Sequence, residues 1–417
     1  MKDKIFQLID ESEALAVELE TELTKRPAIA PDSGGEGELD KCEFLAGWLR
    51  RQGITALERY DAPDPRAKGG VRPNLIATIP GGDEGRESRL WIMSHLDVVP
   101  PGEAGLWTSD PWTLVCKDEG PLGKRLIGRG VEDNQQGLAS SVTAALALIK
   151  AGARPGRTVK LLFVADEENG SAYGIRWLLQ NQGKTIPRLF NQDDMVLIPD
   201  SGDPKGETIE IAEKNILWLK VLTKGRQAHG SRPDQGANAH LAGADLAVRL
   251  HEGLSAKFAG RDSLFEPDYS TFQPTKKESN VPNVNTIPGE DVFYMDMRVL
   301  NRYPLKAVLA ETDRIKAGVE AKYGVTVSCE ALQAGESRAT SADAPLITLL
   351  SKAVQEVYGV KTRCIGIGGG TVGAYLRNEG IAAAVWSRLD GTAHQPDEYT
   401  RLDNILGDAK VMAVLML

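Results

Sequence analysis

Cysteine and histidine are scarce in this chain of 417 residues: four cysteines (Cys42, Cys116, Cys329, Cys364) and five histidines (His95, His229, His240, His251, His394). The cysteines lie far apart with no CxxC pair, which excludes a CxxC-type metal or redox site and fits reduced thiols in a cytoplasm. No stretch approaches the roughly 20 apolar residues that span a bilayer. The N-terminus, Met1-Lys2-Asp3-Lys4-Ile5, opens an acidic amphipathic pattern with no apolar signal core, so a cytoplasmic protein is expected. There is no long run of one charge. The formal net charge of −9 argues against a nucleic-acid surface and against an anionic membrane as partner. What remains is the composition of a globular protein, 41% hydrophobic and 26% charged. The length exceeds one comfortable core, so two domains are expected.

The stretch Trp91-Ile92-Met93-Ser94-His95-Leu96-Asp97 is an apolar run ending in a His and an Asp two residues apart, before Pro100-Pro101-Gly102 breaks the strand pattern. Residues i and i+2 of a strand share a face, so His95 and Asp97 emerge together. A metal-bound imidazole commonly gives its second N–H to a carboxylate, although a loop histidine with a local partner has the same spacing. Upstream, residues 3–25 read as one helix, with Ile5, Leu8, Ile9, Leu15 and Leu19 on one stripe. Phe44, Leu45, Trp48 and Leu49 mark a second helix, and 74–79 and 90–93 read as strands.

Gly128-Arg129-Gly130-Val131-Glu132-Asp133 precedes a helix carrying Leu138, Val142, Ala145, Leu146 and Ile149, which Gly152 stops. Asp133 can cap that helix or serve a cation. Val159–Ala165 reads as a strand buried on both faces, ending in Asp166-Glu167-Glu168. Adjacent carboxylates at a buried strand end repel one another unless a cation or a shared proton relieves them. Met195–Ile198 repeats the design and ends in Pro199-Asp200. From about residue 208 the texture changes to a strand–helix–strand–strand–helix–strand order, a ferredoxin-like pattern. A helix over 345–360, the glycine-rich turn Gly366-Ile367-Gly368-Gly369-Gly370-Thr371 and a strand at 381–386 follow, the last leading to Ala393-His394-Gln395-Pro396-Asp397-Glu398. The glycine-rich turn lacks the Lys-Ser/Thr ending of a phosphate loop. Alternating strands and helices in 70–200 and 340–417 imply an α/β domain whose mostly parallel sheet carries helices on both faces.

Separate strands thus deliver His95, Asp133, Glu167/Glu168, Asp200 and His394 toward the carboxyl edge of one sheet, where ligands of open α/β sheets gather. Two His, several carboxylates and no Cys suit zinc, with manganese or cobalt as alternatives.

The ordered motifs SHLD, GRG-x-x-D, DEE, PD and AHxPxE resemble those of the co-catalytic di-zinc hydrolases. These include glutamate carboxypeptidase, acetylornithine deacetylase, succinyl-diaminopimelate desuccinylase, aminoacylase and the Xaa-His dipeptidases. The resemblance spans nearly the whole chain. It implies a zinc-peptidase-like catalytic domain (1–207 and 336–417) interrupted by a ferredoxin-like α+β lid (208–335) that often forms a homodimer interface. It further implies two Zn2+ per subunit, with His95 and Asp200 on one metal, Glu168 and His394 on the other, and Asp133 bridging. Asp97 would orient His95, and Glu167 would be the general base toward a water bridged by the metals. His229 would face the developing oxyanion, often from the partner subunit. Arg298 would take a substrate carboxylate, and Asn285, Gly370 and Thr371 would line substrate loops. His240 and His251 are left as structural.

Three departures bear on the substrate. Asn134-Gln135-Gln136-Gly137 stands where the family usually has a Lys and then a Gly. Gly373 stands where many deacylases have an acid, and the fourth ligand is Asp200, not Glu. In the family, Asp there tends to accompany peptidases. The leading expectation is hydrolysis of dipeptides or small peptides. Deacylation of N-acyl amino acids is the alternative, and a binding protein on the same fold is a third reading that the complete ligand set disfavours.

Overall fold

The computed structural model describes residues 1–82 and 88–417. Its contacts divide the chain into two compact units: Met1–Ile211 with Thr340–Cys364 and Tyr375–Leu417, and Ala212–Ala339 with Ile365–Ala374. Both main boundaries fall four residues later than the expected 207/208 and 335/336. The cause is an unanticipated strand, Thr208–Glu213, which prolongs the sheet of the first unit. The backbone N–H of Thr340 donates to Ile211 O at 2.9 Å, so the chain leaves and re-enters this unit at one place.

An eight-stranded sheet runs in the order Leu57–Pro63, Val71–Ile79, Val159–Val164, Leu90–His95, Met195–Asp203, Ala382–Arg388, Thr208–Glu213, Arg363–Ile367. Strands Val159–Val164, Leu90–His95, Met195–Asp203 and Ala382–Arg388 are parallel neighbours. Antiparallel pairs flank them on both sides, so the sheet is mixed with a parallel centre. Every residue of Leu90–His95 is buried, which requires cover on both faces.

Helix Gln136–Ala151 packs on three of the central strands and is flanked by Leu402–Met416 and Lys2–Asp10. It ends where expected, at Gly152 in the left-handed region, whose N–H reaches back to Leu148 and Ile149. Its start lies hard against Pro199: a Cβ on Gly137 would come within 2.6 Å of Pro199 O. Only glycine permits that approach, which brings the helix start beside the strand end carrying Asp200. The helix expected over 3–25 is two helices, Lys2–Asp10 and Glu13–Thr24. The break falls at Ser12, whose hydroxyl donates back to Leu8 O at 2.7 Å and competes with the helical ladder.

In the second unit the sheet order is Thr271–Lys277, Glu290–Val299, Asn215–Lys224, Thr326–Gly335, antiparallel throughout. Helices Ala239–Lys257 and Leu305–Tyr323 pack on each other. With the sheet they close a core that includes Leu217, Leu219, Leu246, Leu250, Phe272 and Met297. In chain order this is the ferredoxin-like strand–helix–strand–strand–helix–strand pattern. No helix of the described residues is long and apolar enough to cross a membrane.

Candidate metal centre

The four parallel strands end on one edge, and the metal-type side chains cluster there. His95 is the last residue of its strand, Glu167 and Glu168 follow Val159–Val164, and Asp200 lies near the end of Met195–Asp203. His394 sits in the loop after Ala382–Arg388, and Asp133 lies just before helix Gln136–Ala151. That helix has no side-chain cap, so Asp133 is not spent on capping. The Asp133–Asn134 peptide is cis.

The Asp133 carboxylate stands between the two imidazoles. His95 Nε2 is 2.9 Å from its Oδ1, and His394 Nε2 is 3.0 Å from its Oδ2. His95 Nε2 also lies 3.4 Å from Asp200 Oδ1, and His394 Nε2 lies 3.1 Å from Glu168 Oε1. Among the described residues two groups of metal-type ligands result, His95–Asp133–Asp200 and Asp133–Glu168–His394, with the donor atoms of each group within 4.8 Å of one another. Imidazole nitrogen with carboxylate oxygen is a donor set that suits zinc, and carboxylate-rich sets also take manganese. One carboxylate, that of Asp133, belongs to both groups.

Hydrogen bonds to Asp133 and Glu168 push His394 up to about 10. For His95 burial opposes protonation, but the charge of Asp200 and the bond to Asp133 outweigh it and hold the imidazole well above its ordinary value. Burial, followed by the negative charge of Asp200, raises Glu167 well above the usual carboxylate range.

The supporting contacts differ in one respect from the HxD expectation. His95 Nδ1 is 2.9 Å from the backbone O of Asp97 and 3.5 Å from its carboxylate. The Asp97 carboxylate takes the backbone N–H groups of Glu167 and Glu168, each at 3.0 Å. Burial would push Asp97 up, but His95 and these N–H groups outweigh it and hold the carboxyl below its usual range. Asn134 donates to Asp200 Oδ1 at 2.6 Å and to Pro199 O at 2.7 Å. Asp166 and His394 occupy the left-handed region at φ 62° and 64°, where non-glycine residues are strained and which functional sites often use.

Two buried glutamates complete the frame and were missed as functional in the sequence. Glu398 accepts the backbone N–H groups of Gly130, Glu132 and Asp133 and a guanidinium hydrogen of Arg129. Glu132 accepts donors from the loop that precedes His394. Glu398 is the last letter of AHxPxE, whereas Glu132 occupies an open position of GRG-x-x-D, where no spacing marks it.

The remaining site candidates belong to the second unit. His229 and Asn285 are neighbours: His229 pairs with Thr286 in a two-stranded ladder, and Gly230 N donates to Asn285 O at 2.6 Å. His229 Nδ1 bonds to Ser231, by its hydroxyl at 2.8 Å and its N–H at 3.2 Å, which turns Nε2 outward as the remaining donor position. Arg298 is held in a fork by Asp296, with Nε at 2.7 Å and Nη2 at 2.9 Å, and its Nη1 donates to Gly368 O at 2.8 Å. Thr371, beside the exposed Gly370, gives its hydroxyl to the buried Glu213.

A family model described as peptidase family M20/M25/M40 matches residues 91–417. An uncharacterised metallohydrolase of Methanocaldococcus jannaschii is 37% identical over 412 residues, covering 95% of this chain and 97% of the relative. A succinyl-diaminopimelate desuccinylase of Phenylobacterium zucineum is 28% identical over 407 residues, 94% of each chain. The solved structure of the dipeptidase Dug1p from Saccharomyces cerevisiae superposes with a TM-score of 0.68 at 18% identity, covering 100% of this chain and 98% of that one. The match begins in the strand that ends in His95 and runs to the last residue, so the chain belongs to peptidase family M20/M25/M40 and is a metallohydrolase.

Proposed function

We propose that this enzyme hydrolyses the amide bond of dipeptides or other small peptides with a free carboxylate, using two divalent cations, zinc in the first instance with manganese or cobalt as substitutes. His95 and Asp200 would hold one cation and Glu168 and His394 the other, with Asp133 common to both groups. The observation that carries this reading is the single Asp133 carboxylate, with one oxygen toward each histidine. Cations held there would supply Lewis acidity toward the attacking water and toward the substrate carbonyl.

Glu167 belongs to neither ligand group, yet the charges of Asp200 and His95 act on its buried carboxylate. A base must be so placed: it takes the proton of the attacking water and delivers it to the leaving amine. His229 contributes a donor to the developing oxyanion, supplied by the partner of a homodimer formed through the second unit. Arg298 binds the substrate carboxylate; three of its five N–H groups are held by Asp296 and Gly368, which fixes the fork and leaves two to offer. Asn285, Gly370 and Thr371 line the substrate loops. The four unpaired cysteines fit a cytoplasmic location.

The second reading is N-acyl-amino-acid deacylation, favoured by relatives named succinyl-diaminopimelate desuccinylase that align over nearly the whole chain. A panel of dipeptides beside acetyl- and succinyl-amino acids, each assayed with zinc, manganese and cobalt, separates the two. Turnover confined to the peptides supports the proposal. Turnover confined to the acyl-amino acids rejects it in favour of deacylation.

A further inference from the structure

His394 is the most exposed member of the cluster. It lies in a loop outside any helix or strand, at φ 64°, with its side chain 53% exposed. Something else must set its position, because a ligand group tolerates displacements of only about half an ångström.

The preceding loop closes around Glu132, which is 2% exposed. Four successive backbone N–H groups point at this one carboxylate. Asp390 N lies 2.8 Å and Gly391 N 3.0 Å from Oε1, Ala393 N lies 2.8 Å from Oε2, and Thr392 N also bonds to Oε2. The Thr392 hydroxyl lies 3.0 Å from Oε2 and 2.7 Å from Tyr399 O, two acceptors for its one hydrogen. Successive N–H groups curled around an oxygen form an anion nest, here filled by the protein's own side chain.

The tie runs in both directions. The N–H of Glu132 donates to Glu398 Oε1 at 3.0 Å, and Glu398, just past His394, takes the N–H of Asp133 at 3.1 Å. Each of the two segments therefore holds the other's ligand: Glu398 fixes Asp133, and Glu132 fixes the turn into His394.

We propose that Glu132 is the positioning residue for His394. It sets the affinity of the Asp133–Glu168–His394 group for its cation while leaving the His95–Asp133–Asp200 group largely untouched. The inference rests on the two-metal reading above. A carboxylate is required because the nest presents only donors; an amide at the same place turns its NH2 against them, leaving buried N–H groups unpaired.

The test is calorimetric titration of the metal-free full-length protein with Zn2+, on the unaltered chain and on E132Q, E132D, H394A and E132Q/H394A, with folding checked by circular dichroism. The unaltered protein is expected to bind two equivalents. E132Q should bind the first as before and the second about 10- to 100-fold more weakly, the usual cost of removing an outer contact of a metal ligand. E132D, which keeps the charge with a shorter reach, should fall between. The double variant should bind no more weakly than H394A, because Glu132 acts through His394. A folded E132Q that binds both equivalents unchanged overturns the proposal, as does an additive loss in the double variant. If E132Q does not fold, E132D gives the reading, and an unfolded E132D assigns Glu132 to the fold and overturns the proposal as well. A single equivalent in the unaltered protein instead refutes the two-metal reading itself.

Discussion

The Asp97 carboxylate accepts the backbone N–H of Glu167 at 3.0 Å, and its other oxygen takes that of Glu168 at the same distance. The HxD pair therefore does two jobs with two groups: the Asp97 carbonyl meets the His95 ring, and the carboxylate fixes the corner that carries the proposed base and a proposed ligand. Asp97→Asn replaces one acceptor with a donor facing an N–H. It is expected to lower kcat about 10- to 100-fold, the range for outer contacts of metal sites, in a protein that stays folded. Steady-state kinetics beside circular dichroism check this; an unchanged kcat contradicts it.

Chelation should abolish turnover, and zinc, manganese or cobalt should restore it. Metal should also stabilise the fold, since it binds the assembled cluster and not the dispersed side chains. At a hundred times its dissociation constant a ligand adds about 2.7 kcal/mol. A higher midpoint of thermal unfolding with metal than with chelator is the expected readout.

Arg72 is fully buried behind the base-bearing corner. Its Nε donates to Glu38 Oε2 at 2.7 Å, and its Nη2 bonds Glu38 and lies 3.3 Å from Asp166 Oδ1. Replacing it with Met leaves two buried carboxylates without their countercharge, at a cost of about 3–5 kcal/mol. Urea unfolding should show a lower midpoint, and a loss below about 1 kcal/mol would mean that the guanidinium is not needed there.

His229 supplies a prediction about assembly. H229A should lower kcat about 10²- to 10³-fold, as loss of an oxyanion donor does. Mixing H229A with E167A subunits should recover activity, because in a shared site one subunit brings Glu167 and its partner His229. If His229 acts within its own subunit, the mixture stays inactive. Sedimentation of the unaltered protein should give a dimer.

Three of the site residues were legible because each follows an apolar run that stops abruptly: the residues before His95, Glu167 and Asp200 form parallel, largely buried strands. The frame around them was not. Glu132 and Glu398 look like ordinary acids until the segments they join, far apart in the chain, are brought together, and Asn134 reads as a departure until its bond to Asp200 is seen. Among the elements, Leu57–Pro63 and Thr271–Lys277 escaped notice because both are edge strands with charged residues and a proline, which blur alternation. Arg298 was expected to face a substrate carboxylate, and its fork to Asp296 could not be inferred from a spacing of two in a strand.

The most direct test of the mechanism is Glu167→Ala with metal binding and turnover measured on the same preparation. Glu167 is expected to be the base and not a ligand. The variant should therefore bind two cations with the affinity of the unaltered protein while kcat falls about 10²- to 10⁴-fold, the range for loss of a general base. A Glu167→Ala enzyme that turns over peptide at the unaltered rate, or one that no longer binds its metals, contradicts the assignment.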